Sequence, residues 1–222
     1  MTIAAGEHYI PGSQAVLPCP TRTEYSVGVD LMALVLTSGW ASGINAYAVI
    51  VLMGLLGRYT GLDGVPGSVQ ETEVLLIAGG MYAVEFVTDK IPYVDSLWDT
   101  ISTLIRPTLG AMLGYLIAGD ADSVHQAWYA AAGGGSALAS HLVKAGIRLA
   151  INGSPEPVTN VTVSLGEDLT VAGVVTLALV QPWLALAIAS FLFLVGVALV
   201  IVLFRLVRRG WRRWRARGVA HA

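Results

Sequence analysis

A run of charged residues in an otherwise apolar chain is the feature that most constrains this sequence. Residues 85–107, EFVTDKIPYVDSLWDTISTLIRP, hold six of the chain's 28 formally charged residues (13 basic and 15 acidic), namely Glu85, Asp89, Lys90, Asp95, Asp99 and Arg106. Charged residues make up only 13% of the chain and hydrophobic residues 55%, whereas a soluble protein averages about 25% charged residues. The composition predicts a multi-span membrane protein, in which these charges must be paired with one another or hydrated.

The predicted fold class is all-α, a polytopic membrane helical bundle of about six spans with broken helices. The spans are expected at residues 27–57, 74–91, 94–118, 124–151, 158–180 and 183–206. At about 1.5 Å per residue, the first is too long for a straight crossing of a bilayer core of about 30 Å. We expect a break at residues 38–45, SGWASGIN, where Ser38, Ser42 and Asn45 can satisfy freed backbone groups. The alternative is a small-residue face for close helix packing.

Two proline-containing helical hairpins form a predicted internal repeat, over residues 74–118 and 124–180. In the first, Glu85 and Asp89 lie one helical turn apart, and Asp95 is placed to cap the helix that follows Pro92. Arg106-Pro107 is expected to kink that helix. In the second, Lys144 and Arg148 are also one turn apart, and Asn160 lies three residues after Pro157, as Asp95 lies three after Pro92.

The two ends of the chain differ in character. Residues 1–25 are read as an irregular tail or cap, residues 26–208 as the transmembrane domain, and residues 209–222 as a basic tail. Seven arginines in the last 18 residues predict a cytoplasmic C-terminus that contacts anionic lipids, with nucleic-acid binding not favoured. The side of the N-terminus depends on whether segment 27–57 crosses once or is re-entrant. The single cysteine, Cys19, excludes an internal disulfide.

The sequence also resembles a known family. The pattern EFVTDKIPYVDSLWDTISTLIRPTLGA, followed by GGGSALASHLVKAGIRLAINGSPEPVTNVTVSLGEDL, is similar to a family of bacterial multi-span integral membrane proteins, the domain of unknown function 4126. The resemblance extends from about Gly39 to the last span and excludes the N-terminal tail. It implies a bacterial inner-membrane protein and supplies no activity.

The buried charges are the candidate site. The residues expected to line a transport or binding pathway are Glu85, Asp89, Asp95, Asp99, Arg106, His141, Lys144, Arg148, Asn160, Glu167 and Asp168. Glu85 and Asp89 are expected to meet Lys144 and Arg148, and Arg106 to reach Asp99, Glu167 or Asp168. Because acids outnumber bases in this set, the leading hypothesis is a transporter or channel for an ion, a proton or a small polar solute. The metal candidates Glu85, Asp95, Asp99 and Asp168 would suit a divalent cation, although no motif requires one.

Three other interpretations remain open. In the first, the charges form a buried ion-pair network that only fixes helix register. Alternatively, Arg106, Lys144 and Arg148 clamp a lipid phosphate in an intramembrane enzyme or lipid carrier, with His141 as acid or base. The sequence has no GxSxG, HExxH or phosphate-loop motif, so an enzyme is not favoured. The third interpretation is a non-catalytic membrane scaffold, whose glycine-rich helices permit contacts within the chain and in a homo-oligomer alike.

Overall fold

The computed structural model describes residues 22–62, 64–91, 93–152 and 157–219, and side chains for 30–62, 64–91, 93–151 and 158–209. Within these ranges the chain is helical, as predicted. Its elements are α1 (Arg22–Thr60), a short 3₁₀ helix (Gly67–Gln70), α2 (Thr72–Thr88), α3 (Val94–Ala118), α4 (Ser123–Asn152), α5 (Pro157–Val180) and α6 (Pro182–Val219). The predicted irregular tail lies outside the described residues except for 22–25, which form the first turn of α1.

Four of the six helices are long and apolar enough to cross a membrane, judged over the described residues. These segments are Asp30–Thr60, Val94–Ala118, Val158–Val180 and Pro182–Arg209. The six predicted spans therefore correspond to six helices, but α2 and α4 do not qualify as spans by themselves. α2 is only 17 residues long, and α4 carries Lys144 and Arg148 in its C-terminal half. Both must obtain their membrane compatibility from the helices around them.

The first helix is the centre of the bundle, and the last helix is the least buried of the four candidate spans. α1 contacts each of the other five helices, and the best apolar window of its span is 72% buried inside the protein. The corresponding window of α6 is only 6% buried. An apolar face that the protein leaves uncovered on this scale fits contact with lipid chains.

Glycines set the spacing between α1, α3 and α4. A Cβ added at Gly39 would lie 2.5 Å from the carbonyl oxygen of Gly133, and one added at Gly110 would lie 2.9 Å from the same oxygen. A Cβ at Gly43 would meet the Ser140 hydroxyl and the Ala137 carbonyl oxygen, the latter at 2.1 Å. Any larger side chain would push the backbones apart, so the small-residue packing predicted for residues 38–45 is present.

The same segment also contains the predicted break. Asn45 has φ −152° and ψ 94°, which interrupts α1 near the middle of its apolar stretch. Its side-chain Oδ1 accepts a hydrogen bond from the Ala48 backbone N–H at 2.9 Å, as an N-cap residue does for the third residue of a helix. Asn45 thus begins a second half-helix. Ser38 instead donates to Val35 within its own turn, and the buried Ser42 hydroxyl has no partner among the described residues.

Two local predictions around α3 were wrong. α2 ends at Thr88 rather than 91. Tyr93, with φ 70°, is the N-cap residue of α3, so Asp95 lies within the first turn instead of at the N-cap, and its Oδ1 accepts a hydrogen bond from the Ser96 N–H at 2.6 Å. α3 continues without a break through Pro107, from Val94 to Ala118. The kink expected at Arg106-Pro107 stays a prediction. Pro92 itself lies outside the described residues.

Candidate functional site

The predicted site residues come together where α2, α3, α4 and α5 surround the break in α1. Nine of them are buried, with relative exposures of 4% or less: Glu85, Asp89, Asp95, Asp99, Arg106, His141, Lys144, Arg148 and Asn160. Glu167 and Asp168 on α5 are partly buried. The helical period explains the arrangement, because Asp95, Asp99, Ser102 and Arg106 recur every three or four residues and form the buried polar face of α3.

Arg106 is the centre of the first group of contacts. Its Nη2 donates to Glu85 Oε1 at 2.7 Å, and its Nη1 lies 3.1 Å from Asp99 Oδ1. The pair with Asp99 was predicted, whereas the pair with Glu85 was not. Asp99 Oδ1 lacks hydrogen-bond alignment despite this distance, so the contact is an ion pair without a directed hydrogen bond. No contact of Arg106 with Glu167 or Asp168 appears among the described residues.

Lys144 is the centre of the second group. Its ammonium donates to Asp89 Oδ2 at 2.8 Å and lies 3.4 Å from Glu167 Oε2 and 3.9 Å from Glu85 Oε1. It also donates to the Ile44 carbonyl oxygen at 2.9 Å. The predicted meeting of Glu85 and Asp89 with Lys144 is therefore confirmed, and the lysine ties α2 to α5 and to the break in α1.

Arg148 is the centre of the third group. Its Nη2 and Nε donate to the two carboxylate oxygens of Glu167 at 2.6 and 3.2 Å, in a two-point contact. Its Nη1 donates to the Asp89 carbonyl oxygen at 2.9 Å and lies 3.5 Å from Asp95 Oδ2. The same Nη1 donates to Asn160 Oδ1 at 2.8 Å. Planar, multi-point donation of this kind is what distinguishes arginine from lysine.

The last contact bears on the predicted repeat. Asp95 and Asn160, which occupy equivalent positions in the two predicted hairpins, both contact the Arg148 guanidinium. Residues 153–156, between the two arms of the second hairpin, and Pro92 of the first lie outside the described residues. The internal repeat stays a prediction, which this shared contact favours.

His141 is held as a neutral tautomer by its neighbours. Its Nδ1 lies 2.8 Å from Arg106 Nη1, and its Nε2 lies 3.0 Å from Thr103 Oγ1. Arginine can only donate, so Nδ1 must accept and the ring proton belongs on Nε2. Thr103 in turn donates to the Asp99 carbonyl oxygen at 2.9 Å, which leaves its oxygen free to accept from Nε2–H. A second ring proton would point directly at a guanidinium.

The cations also satisfy the backbone at the break. A helix that ends leaves its last carbonyl oxygens without intrahelical donors and carries a partial negative charge there. Arg106 Nη1 donates to the Gly43 carbonyl oxygen at 3.3 Å, and Lys144 donates to that of Ile44. Ser140 donates to the Trp40 carbonyl oxygen at 2.7 Å. Side chains from α3 and α4 thus complete the end of the first half of α1.

The site carries more acidic than basic groups. Its carboxylates are Glu85, Asp89, Asp95, Asp99, Glu167 and Asp168, and its bases are Lys90, Arg106, Lys144 and Arg148. Six acids against four bases leave an excess of two acidic groups. Moreover, Glu85 Oε2, Asp89 Oδ1, both oxygens of Asp99 and Asp168 Oδ2 are buried and receive no hydrogen bond from the described part of the chain. Such groups require a proton, a cation or water.

The metal candidates do not converge. No group of three or more carboxylate, histidine or cysteine side chains within the described residues is arranged to hold a metal ion. Glu85, Asp95 and Asp99 turn instead toward arginines on α3 and α4, and Asp168 accepts from Asn45 Nδ2 at 3.3 Å. The prediction of a shared divalent-cation site is not supported by this geometry.

Two cavities border the charged cluster. One of about 520 Å³ lies between α1, α4, α5 and α6, with Lys144 and Glu167 in its lining. The other, of about 190 Å³, lies between α3 and α4 and is lined by Asp99, Thr100, Thr103 and three further residues. Asp99, whose carboxylate oxygens receive no hydrogen bond from the described residues, therefore borders a cavity that can admit water.

Sequence reasoning missed several contributors to this site. Ser136 and Ser140 donate from α4 to carbonyl oxygens of Leu36 and Trp40 on α1. Ser136 and Ser140 are four residues apart and follow Gly133 on the same face of the helix. From this spacing the sequence could have predicted a stripe of small residues that packs on α1. Thr103 carried no such signal, because its role depends on a ring from another helix.

A comparison with known families decides where this chain belongs. A family model described as Domain of unknown function (DUF4126) matches residues 32–202, which include the whole charged cluster. The chain is a member of that family. No curated protein and no solved structure matches it. Membership of the DUF4126 family carries no activity with it, so the function must be argued from the site.

Proposed function

We propose that this protein is a membrane transport protein in which the buried carboxylates carry a small cation, the proton included, between the two hairpins. The observation that carries the proposal is the charge imbalance of six acids against four bases around the broken helix. A network that only fixed helix register would be expected to match its charges, because each uncompensated charge at membrane depth costs several kcal/mol. An excess of two carboxylates instead fits a site that takes up and releases cations.

The broken helix supports the same proposal. Irregular backbone is tolerated at membrane depth only where it is buried in protein or borders a hydrated cavity. In this chain the break at Asn45 lies beside the charged cluster, and Asn45 reaches Asp168. Discontinuous helices at the substrate site are a recurrent feature of secondary transporters. Asp99, with its adjoining cavity of about 190 Å³, is the group best placed to exchange a cation with water.

The lipid-phosphate interpretation is less well supported. Arg106 and Arg148 are 1% and 0% exposed, and Lys144 is 4% exposed. All three already donate to carboxylates and carbonyl oxygens within the protein. A phosphate would have to displace these internal partners, so the bases serve as partners for the acids rather than as an anion site.

We further propose a bacterial inner membrane as the location, with the C-terminus in the cytoplasm. The support is the arginine-rich end of α6, where Arg205, Arg208 and Arg209 are exposed, together with the positive-inside rule. The side chains of residues 210–222 lie outside the described set. Anionic lipids on the cytoplasmic leaflet would be their partners.

Reconstitution into liposomes tests the transport proposal. Purified full-length protein would be inserted into vesicles with an imposed gradient of H⁺, Na⁺, K⁺ or Mg²⁺ in turn, and chloride as the anion control. The proposal expects flux of at least one cation above that of empty vesicles, and none of chloride. If folded, inserted protein carries none of these cations, the transport proposal is wrong and the charged cluster has a structural role.

A further inference from the structure

A cavity beside the charged cluster has a mostly apolar lining, of which the proposed small-cation pathway uses only Lys144 and Glu167. It measures about 520 Å³ and runs between α4, α5 and α6, with Trp40 and Ile44 of α1 at its base. Along α6 it extends from Leu192 to Leu203, which corresponds to about 16 Å of helix at 1.5 Å per residue. This volume lies within the range of about 300–1,000 Å³ that holds small organic ligands.

The walls of this cleft are apolar and partly aromatic. Aliphatic side chains such as Val143, Ile147 and Val163 form its sides, and Trp40 and Phe193 contribute rings. The face of an aromatic ring attracts a cation electrostatically and does not attract an anion in the same way. The walls alone would accept any hydrophobic molecule, so the charged residues decide the ligand class.

Only two charged residues, Lys144 and Glu167, belong to the described lining. The Lys144 ammonium donates to Ile44 O and Asp89 Oδ2 and forms an ion pair with Glu167 Oε2 at 3.4 Å. Its side chain is 3% exposed, whereas that of Glu167 is 17% exposed. Although Arg148 donates to both Glu167 oxygens, this carboxylate is the more exposed of the two charged groups in the cleft, and it adjoins a cluster in which acids outnumber bases.

We propose that this cleft binds an amphipathic organic cation, such as an amine or onium compound with a bulky apolar body. The apolar body lies against α4, α5 and α6, and the positive centre faces Glu167 and the rings of Trp40 and Phe193. This inference rests on the proposed function for its physiological meaning. The organic cation would be the transported solute, and its movement would be coupled to the exchange of a small cation at the charged cluster. Its binding is nevertheless measurable without any flux.

Two probes of the same shape and opposite charge separate charge recognition from simple hydrophobic partitioning. Binding of radiolabelled tetraphenylphosphonium and of tetraphenylborate would be measured on detergent-solubilised full-length protein, with empty micelles subtracted. The proposal expects the phosphonium to bind at least about tenfold more tightly at the cleft. Equal or weaker binding of the phosphonium would overturn it and would indicate an apolar groove that lipid chains fill.

A matched pair of glycines on α5 locates the bound cation. Gly166 lines the cleft, whereas Gly173, two turns further along, does not, and a Cβ added at either would meet nothing within 4 Å. Gly166→Phe is expected to fill the cleft and to weaken phosphonium binding at least about tenfold, whereas Gly173→Phe stays within about twofold of the wild type. Equal effects of the two variants, or no effect of either, would place the bound probe elsewhere and overturn the proposal.

The role of the carboxylate is tested with Glu167→Gln and Glu167→Asp. The amide is expected to weaken phosphonium binding by about tenfold and the aspartate by less, with tetraphenylborate unaffected or improved. Should Glu167→Gln fail to fold because Arg148 loses its partner, the glycine pair and the probe pair still decide the question. Cation-flux activity with no phosphonium binding would overturn this inference alone, whereas phosphonium binding without any cation flux would overturn only the proposed function.

Discussion

The ammonium of Lys144 donates to the carbonyl oxygen of Ile44 at 2.9 Å, across 100 residues of sequence. That carbonyl lies at the end of the first half of α1, one residue before the break at Asn45. The lysine also pairs with Asp89 at 2.8 Å. One side chain therefore stabilises both the interrupted backbone and a buried carboxylate, which links the shape of α1 to the charge state of the cluster.

Removal of Lys144 should be strongly destabilising. Lys144→Met leaves Asp89 and the Ile44 carbonyl without their donor, and loss of one partner of a buried ion pair costs about 3–5 kcal/mol. Thermal unfolding in detergent, followed by circular dichroism, measures the effect. The double variant Lys144→Met with Asp89→Asn should recover part of the loss, because it removes the isolated charge. A single variant as stable as the wild type would show that the pair contributes nothing.

Asn45 should be replaceable only by another capping residue. Asn45→Ala removes the acceptor for the Ala48 N–H and is expected to lower stability by about 0.5–2 kcal/mol. Asn45→Ser keeps a short oxygen in the same position and should retain most of the stability. The same unfolding assay distinguishes the two, and equal losses would mean that capping is not what Asn45 provides.

Two neighbouring glycines on α4 should behave oppositely. A Cβ at Gly133 would lie 2.4 Å from the Gly110 carbonyl oxygen, whereas a Cβ at Gly135 meets nothing within 4 Å. Gly133→Ala is expected to destabilise the protein by about 1–3 kcal/mol through overpacking. Gly135→Ala should be neutral or stabilising by up to about 1 kcal/mol, because alanine favours the helix. Indistinguishable unfolding temperatures would contradict the close approach of α3 and α4.

The start of α4 should show a pH-dependent stability that depends on Asp122. Its Oδ1 accepts from the N–H groups of Val124 and His125, and its other oxygen binds the His125 ring. The hydrogen bond with the His125 side chain, followed by that with its backbone, holds the pKa of Asp122 below its usual 3.8. Because the folded pKa is the lower one, this stabilisation is present above pH 3.8 and is lost as the pH falls through the folded pKa.

Unfolding temperatures measured from neutral pH down to pH 3 test this point. The difference between wild type and Asp122→Asn should be largest at neutral pH, where the carboxylate is charged, and should shrink on acidification. A difference that stays constant over that range would show that the charge of Asp122 does not contribute.

Much of the site could be predicted because helical spacing carries information. The one-turn separations of Glu85 from Asp89 and of Lys144 from Arg148 placed each pair on one face, and Lys144 and Arg148 do meet Asp89. The break in α1 was likewise predictable from two glycines and three small polar residues within eight positions. In each case the signal is local, and the bilayer leaves buried charges few alternatives to pairing.

Other features depend on contacts that no local pattern contains. Arg106 pairs with Glu85 rather than with an α5 acid because the packing of Gly110 and Gly114 against α4 fixes how α3 is rotated. The N-cap of α3 falls on Tyr93, whose positive φ opposes the usual preference of a bulky residue. α2 does not qualify as a span because it ends at Thr88 and is only 17 residues long, and the sequence did not predict that end.

The most direct test of the central claim is cation flux through Asp99→Asn in proteoliposomes. Asp99 is 4% exposed, borders a cavity, and has carboxylate oxygens without a hydrogen-bond donor among the described residues. The amide keeps the size of the side chain, removes the charge and replaces one acceptor oxygen by an NH2 donor, so the account predicts a fall of at least about tenfold in the flux of the transported cation. Asp122→Asn, at an exposed turn outside the cluster, should transport as the wild type does. Unchanged flux through folded, inserted Asp99→Asn would contradict a pathway through the buried carboxylates.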